Sequence, residues 1–333
     1  MTLAASILAG DRLSLARLLT QVENDSPEGR AALTDLFPHT GRAHLVGVTG
    51  APGTGKSSLV NQLALHYRKQ ADQRVAVVAV DPSSPFTGGA VLGDRVRMRD
   101  LSGDPNVFIR SMASRGSLGG LAQATAGMVQ VFDAAGFDVI LIETVGAGQS
   151  EVDIARLAHT TLVVEAPGLG DDIQAIKAGI LEIADILVIN KADRPGVENT
   201  ERALKSTLEL AHPAQRVFRH HGQYMSAAVD LPIDKQMWIP PIQKTVSTEG
   251  RGIPELVEAI ARHAEHLRSS GDWAARERAR LEVELEMLIQ EALVARFSAS
   301  VPPQKIQQTV ERMAKRDLSP WEAANFLMNG ASE

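Results

Sequence analysis

One octapeptide constrains this chain more than any other feature. Gly50-Ala51-Pro52-Gly53-Thr54-Gly55-Lys56-Ser57 fits G-x-x-x-x-G-K-[ST], directly after the apolar run Leu45–Thr49 and directly before the helical run Ser58–Gln70. A chain that leaves a strand, turns through glycines and enters a helix aims backbone N–H groups at one spot, an anion cradle at a helix N-terminus. Residues 50–58 are therefore expected to wrap nucleotide phosphates. Lys56 would bridge the β- and γ-phosphates and the Ser57 hydroxyl would bind Mg²⁺. Around this unit, the short β-branched runs Arg74–Val80, Val107–Ile109, Val139–Ile142, Thr160–Val164 and Ile186–Ile189 are separated by helical stretches. Several show no polar alternation, as expected of strands buried on both faces of a parallel sheet. The expected fold is α/β: a P-loop NTPase-type doubly wound, mostly parallel sheet flanked by helices.

Both ends of the chain read as helical extensions. Leu3, Ile7, Leu8, Leu15, Leu18 and Leu19 recur at helical spacing, with Asp11 placed to cap a second helix. Thr200–Ala211 and Ile253–Leu267 are expected helices, and a strand is expected near Trp238–Ile239, where Pro240-Pro241 ends any ladder. Trp273–Phe297 forms a longer helix with Leu281, Leu285, Leu288 and Ile289 on one face, and a last helix follows from Lys305. The expected organisation is an N-terminal helical arm over 1–42, a nucleotide-binding domain over 43–268 and a C-terminal helical extension over 269–333.

Composition narrows the function classes. A net charge of −6 with both signs interspersed argues against a nucleic-acid-coating protein. No wholly apolar stretch approaches the ~20 residues needed to span a bilayer, and the N-terminus has no basic region ahead of its apolar stretch. A cytoplasmic protein that engages neither nucleic acid nor membrane is expected. The absence of Cys removes disulfide scaffolds, Cys-ligated zinc, iron–sulfur clusters and thiol nucleophiles.

A phosphate loop does not choose between ATP and GTP. Asn190-Lys191-Ala192-Asp193, immediately after Ile186–Ile189, does. The Asp193 carboxylate can accept from the ring N–H and exocyclic amine of guanine, whereas adenine offers no matching donor pair and would leave the charge desolvated. The Lys191 stem can lie over the base. Val246-Ser247-Thr248 is the expected third base loop, with backbone N–H groups meeting the guanine carbonyl.

Around the metal, Asp81 and Asp94 are candidates for direct or water-mediated Mg²⁺ contact, since Mg²⁺ favours a few carboxylates plus waters and phosphates. An ordinary turn or N-cap Asp is the alternative for each. Arg97 reads equally as a phosphate-charge neutraliser or a solvated surface Arg. Glu143-Thr144-Val145-Gly146 resembles the D-x-x-G switch of GTPases with Glu in place of Asp, so the carboxylate would touch the Mg²⁺ shell and the Gly146 N–H would sense the γ-phosphate. Ala147 occupies the position of a water-orienting Gln, and the register of Gln149 does not match it. Slow intrinsic hydrolysis, accelerated by a partner or by dimerisation, is expected.

Together the segments Val48–Leu59, Val80–Arg99, Ser111–Ala122, Glu143–Asp153 and Gly168–Asp193 resemble the MeaB/MMAA (ArgK) family of metallochaperone-type P-loop GTPases. The resemblance covers almost the whole chain. It implies a GTPase chaperone that gates cofactor loading and protects or reactivates an adenosylcobalamin-dependent acyl-CoA mutase, usually methylmalonyl-CoA mutase. It also implies a homodimer joined largely through the C-terminal extension. The family roles fall on Lys56 and Ser57 in the phosphate loop, on Asp81, Asp94 and Glu143 around Mg²⁺, and on Asn190, Lys191 and Asp193 at the base. Gly170–Gly179, with Asp172, Gln174 and Lys177, resembles a third loop that responds to the partner mutase. Ser114 and Ser117 depart from the Thr and His common in relatives. No cobalamin site of the chain's own is deduced. The alternatives are a nickel-type metallochaperone GTPase, which usually holds metal with Cys or His clusters, and a kinase linked to amino-acid transport, which needs a positioned catalytic base.

Overall fold

The computed structural model describes residues 2–82, 98–101, 103–114, 120–144, 150–168, 183–211, 216–220, 223–227 and 238–328. In chain order, α1 (Leu3–Leu8), α2 (Arg12–Glu23) and α3 (Pro27–Leu36) precede β1 (His44–Thr49), α4 (Lys56–Ala71), β2 (Val75–Pro82) and β3 (Val107–Ser114). Then come α5 (Gly120–Ala134), β4 (Val139–Thr144), α6 (Ser150–Leu157), β5 (Thr160–Glu165), β6 (Ile186–Ile189) and α7 (Val197–Ala211). The strands β7 (Arg216–His220) and β8 (Gln223–Ala227) form an antiparallel hairpin apart from the main sheet. The chain continues through β9 (Ile242–Lys244), α8 (Ile253–Ser270), α9 (Asp272–Ser300), α10 (Pro303–Ala314) and α11 (Pro320–Met328).

The main sheet has seven strands in the order β3-β2-β4-β1-β5-β6-β9, every pair parallel. The runs without polar alternation are explained by what covers them. In β1, Leu45 joins one core while Val46 and Val48 join the other, and in β4 Ile140 and Ile142 oppose Val139 and Leu141. Because side chains alternate across a strand, each run serves two cores at once. One core is closed by α4 and α8 through Leu59, Val60, Leu63, Leu256 and Ile260. The other is closed by α5 through Met128 and Phe132, overlaid by Ile7, Leu15, Leu18 and Leu19 of the N-terminal helices. A smaller cluster under α7 joins Leu187 and Ile189 to Val197 and Leu204.

The N-terminal arm belongs to this body. Asp11 caps α2 by accepting from the N–H groups of Leu13 (3.2 Å) and Ser14 (3.1 Å), and Ser26 caps α3. Arg12 donates to the carbonyls of Pro105 and Val107 (both 2.7 Å) at the edge strand β3, where Arg110 also pairs with Glu23. The Asp133 carboxylate gathers the N–H groups of Gly41, Arg42 and Ala43 and so aims the chain into β1.

The expected strand at Trp238–Ile239 is instead β9, three residues further on. Proline has no N–H to give a ladder, but its carbonyl still accepts, and Leu187 N–H bonds the Pro241 carbonyl at 2.9 Å. Pairing therefore starts at the second proline rather than ending before it. The Trp238 indole is used sideways, donating to the Asp185 carbonyl at 2.7 Å.

The chain divides into two compact units, 1–280 and 281–333. Within the second, Val301, Thr309 and Ala323 are buried, and Lys305 and Arg312 lie over the Phe326 ring at 4.9 and 5.5 Å. Among the described residues no helix is long and apolar enough to cross a membrane.

Candidate functional site

The site is built where β1, β4, β5 and β6 end. Gly50, Gly53 and Gly55 all take left-handed φ values, +137°, +81° and +92°. Gly50 is also pressed against β5, where a Cβ would lie 2.1 Å from the Val164 carbonyl oxygen. Only glycine combines that φ with that approach. Gly55 is the N-cap of α4, and it supplies no side-chain capping bond; the first turn holds no acidic residue. The leading N–H groups of a sixteen-residue helix are thus left without an intrahelical partner at its positive end, which is what an anion requires. Lys56 is buried and its Nζ donates to the carbonyls of Gly50 (2.7 Å) and Ala51 (3.0 Å), so the ammonium lies folded over the loop it serves.

Asn190 joins this loop to the turn that follows β9. Its Nδ2 donates to the Thr54 carbonyl at 2.9 Å. Its Oδ1 accepts from Thr245 Oγ1 (3.1 Å), Ser247 N (3.2 Å) and Ser247 Oγ (2.8 Å). The side chain is 2% exposed, so each of these bonds is made away from water and losing one leaves a buried polar atom unpaired. Lys191, at φ +56°, reaches back so that Nζ donates to the Gly53 carbonyl at 2.5 Å. Its stem therefore runs along the loop, while Asp193 is exposed beside it. Val246 and Ser247 are buried and Thr248 is exposed. The sequence reading did not include Thr245; a hydroxyl directly after β9, two residues before Ser247, was the available signal.

Glu143 is fully buried at the end of β4, paired in register with Val48 of β1 and Ala79 of β2. That register puts its carboxylate on the strand beside the one that feeds the phosphate loop. Beside it, Thr49 and Thr144 place their hydroxyls 3.3 Å apart. The backbone of Asp81 sits near the end of β2 in register with Ala113. Asp94, Arg97, Val145–Gln149 and residues 170–179 lie outside the described residues, as does Ser117.

At the opposite end of the sheet is a buried polar cluster that the sequence reading missed. Asp185, just ahead of β6, accepts from Arg276 Nη2 on Oδ1 (2.7 Å) and from Arg276 Nη1 and Thr161 N–H on Oδ2 (2.8 Å each). Burial pushes this carboxyl up, but the hydrogen bonds from His263 and Arg276 prevail and hold it down at about 2. His159 accepts the Leu45 N–H on Nδ1 at 3.1 Å and meets Glu277 through Nε2 at 2.5 Å, with Trp273 stacked on its ring. Burial holds His159 below the ordinary imidazole value against the pull of Glu277, and burial brings His44 down to about 3. Thr160 Oγ1 lies 2.9 Å from His263 Nδ1, and His263 Nε2 lies 3.3 Å from Asp185 Oδ1. This resembles a hydroxyl–His–Asp relay, but Thr160 and His263 are wholly buried. The cluster seats the first turns of α9 and reaches no substrate.

A parallel sheet with a glycine-rich loop entering a helix, an Asn-Lys-x-Asp turn after β6 and a buried strand-end carboxylate defines a P-loop GTPase. A family model described as "Methylmalonyl Co-A mutase-associated GTPase MeaB" matches residues 15–301, and the chain belongs to that family. A Pyrococcus abyssi relative is 45% identical over 96% of this chain and 93% of its own length. "GTPase ArgK" of Escherichia coli is 39% identical over 81% of this chain and 78% of its own. "Methylmalonic aciduria type A homolog, mitochondrial" of mouse is 32% identical over 98% of this chain and 78% of its own. The solved structure described as an LAO/AO transport system kinase superposes with a TM-score of 0.66 at 26% identity, over 98% of this chain and 95% of that one.

Proposed function

We propose that this chain is a cytoplasmic GTP-hydrolysing chaperone that gates cofactor loading into, and protects or reactivates, an adenosylcobalamin-dependent acyl-CoA mutase. GTP would bind along residues 50–58, with the guanine read by Asn190, Lys191, Asp193 and the turn Val246–Thr248. The observation that carries the GTP reading is Asn190, whose single side chain bonds both the phosphate loop and the Thr245–Ser247 segment. Asp193 stands exposed three residues further on. The mutase reading is supported by the family's description and by the mouse relative's name.

The donor set fits Mg²⁺. Ser57 contributes a hydroxyl and Glu143 a buried carboxylate, hard oxygens of the kind this ion selects, with Asp81 and Asp94 as further carboxylates. When bound, the ion would neutralise charge on the phosphates. Lys56 would exchange its carbonyl partners for phosphate oxygens, and Arg97 would add a second cation. Intrinsic turnover is slow and partner-stimulated, since Ala147 offers nothing to orient water.

The second unit supports a homodimer. Leu285, Leu288, Ile289, Leu293 and Val294 of α9 are between 42% and 63% exposed in a single chain, more apolar surface on one helix than a solvated monomer usually leaves.

Titration with GTP, GDP and ATP tests the base reading: guanine nucleotides bind and ATP does not, and Asp193→Asn abolishes the preference. Equal binding of ATP overturns it. Hydrolysis measured with and without cobalamin-dependent mutases from the same source tests the partner, and a rate no mutase changes would reject it. Light scattering of a chain ending at Arg280 should show a monomer where the full chain is a dimer.

A further inference from the structure

The turn that follows β9 is held from three sides. Thr245 N–H donates to the Ile189 carbonyl (2.9 Å) and its own carbonyl accepts from Ala192 N–H (3.0 Å), so residue 245 is tied to both flanks of Asn190. Beyond it the chain doubles back: Val246 N–H bonds the Arg251 carbonyl at 3.0 Å, and Glu249 N–H bonds the Val246 carbonyl at 3.0 Å. The returning chain must then pass against β9 before α8 can start, and it does so at Gly252, at φ +75°. A Cβ there would lie 2.0 Å from the Lys244 carbonyl oxygen, 3.1 Å from its carbon and 3.2 Å from Thr245 Cα. All three are backbone atoms, so no side chain can swing aside to make room.

We propose that Gly252 is a positioning residue for guanine recognition: its missing side chain lets the turn close against Lys244 and present residues 246–248 beside Asn190. The inference rests on the GTP reading above and adds a residue that touches no nucleotide. With a side chain at 252, either α8 or the turn must yield. The first turns of α8 are fastened by Ile253, Leu256, Ala259 and Ile260, all buried in the core shared with α4. The turn is fastened mainly by hydrogen bonds: those of Val246 to Arg251 and Glu249 to Val246 close it and Ser247 ties it to Asn190, while Thr248, Glu249 and Arg251 are exposed. Shifting α8 would uncover several large apolar side chains at once, whereas the turn can move by lengthening hydrogen bonds that each contribute less. The turn yields, and the groups that meet the base move with it.

Gly250 supplies the control. It too is left-handed, at φ +71°, but a Cβ there meets only Gln62 Oε1, at 3.5 Å. Backbone strain is common to both positions, whereas crowding is confined to Gly252.

The test measures GDP and ADP affinities of the full chain with Gly252→Ala and with Gly250→Ala, alongside circular dichroism. Gly252→Ala is expected to lower the GDP-over-ADP preference by about tenfold, ~1.4 kcal/mol, with ADP affinity unchanged, because only the base side has moved. Gly250→Ala should change the preference less than about threefold. A folded Gly252→Ala protein with wild-type preference, or equal losses in both variants, overturns the proposal. A loss shared by GDP and ADP also overturns it, by showing a general structural role. Wild-type protein without a guanine preference would instead refute the underlying GTP reading. Should Gly252→Ala fail to fold, amide exchange of the wild-type chain decides: Val246 and Glu249 must be protected before nucleotide is added, and free exchange until GDP arrives overturns the proposal.

Discussion

Replacing Asp185 by Asn removes one charge from the junction between β6 and the root of α9 while keeping the side chain's shape. The consequences can be worked from two directions. The carboxyl is held at about 2 against an ordinary 3.8. At ~1.36 kcal/mol per pKa unit that difference amounts to roughly 2–3 kcal/mol. Breaking a buried ion pair from one side typically costs about 3–5 kcal/mol, because the surviving charge is stranded. Here the survivor, Arg276, is 36% exposed, so water relieves part of the loss and the lower end applies. An Asn amide must also turn its NH₂ toward either the guanidinium or the Thr161 N–H, both of them donors. The expected destabilisation is about 3 kcal/mol, which lowers Tm by roughly 6–12 °C in a body of this size. The pH dependence carries a second signature. Because the folded pKa lies below the unfolded one, the stabilisation is complete above about pH 4 and disappears as pH falls from about 4 toward 2. The gap between wild type and Asp185→Asn, measured by denaturant midpoints, must therefore close over that range. A gap under about 1 kcal/mol at pH 7, or one that persists at pH 2, would refute this account of the junction.

Other outcomes follow from the same physical chemistry. His44, brought down to about 3, favours the folded state only while neutral; its contribution is complete above its unfolded value of 6.5 and is lost as pH falls from there toward 3. Between pH 6.5 and 5 the unfolding free energy should drop by about 2 kcal/mol from this group, and His44→Gln should flatten that slope. Gly47 in β1 lets α6 approach, since a Cβ would lie 2.6 Å from Ile154 Cγ2 and 3.1 Å from Ala158 Cβ. Gly47→Ala should cost about 1–3 kcal/mol, and combined with Ile154→Ala, which removes Cγ2, it should cost less than the two single changes summed in a double-mutant cycle. Asn190→Ala should weaken GDP binding by about tenfold or more in a titration, since it frees both the Thr54 carbonyl and the Ser247 N–H.

The parts of this molecule written in local chemistry were legible in the residues. Leu45–Thr49 followed by Gly50–Ser57 permits one backbone path, and the apolar run Ile186–Ile189 before Asn190 permits one placement of the base motif. Expected strands fell at the observed β1 to β6 because burial on both faces leaves an uninterrupted β-branched signal. Longer-range choices were not legible. The root of α9 is seated by Arg276, Glu277 and Arg280, charged residues that read as a solvated face until Asp185 and His159 are brought opposite them. The apolar stripe that stood out on α9 begins only at Leu281, beyond that seat. β9 was misplaced because a proline was taken as the end of pairing, when its carbonyl begins it. Gly252 reads from sequence only as part of the turn Gly250-Arg251-Gly252 ahead of α8, as its neighbour in space, Lys244, is found only once that turn is closed.

The placement of the tryptophans has an optical consequence. Trp238 and Trp273 both lie against the Asp185–His159 cluster, and Trp321 is on the separate C-terminal unit. Between the cluster and Asn190 stands only β6, four residues or about 13 Å of strand. Neither Trp238 nor Trp273 lies at the Asn190 end of β6. Any change in the emission of these two indoles on adding GDP would then be a remote signal, carried the length of β6 or through α8. The protein comes equipped with its own reporter of whether the far end of the sheet senses what the near end has bound.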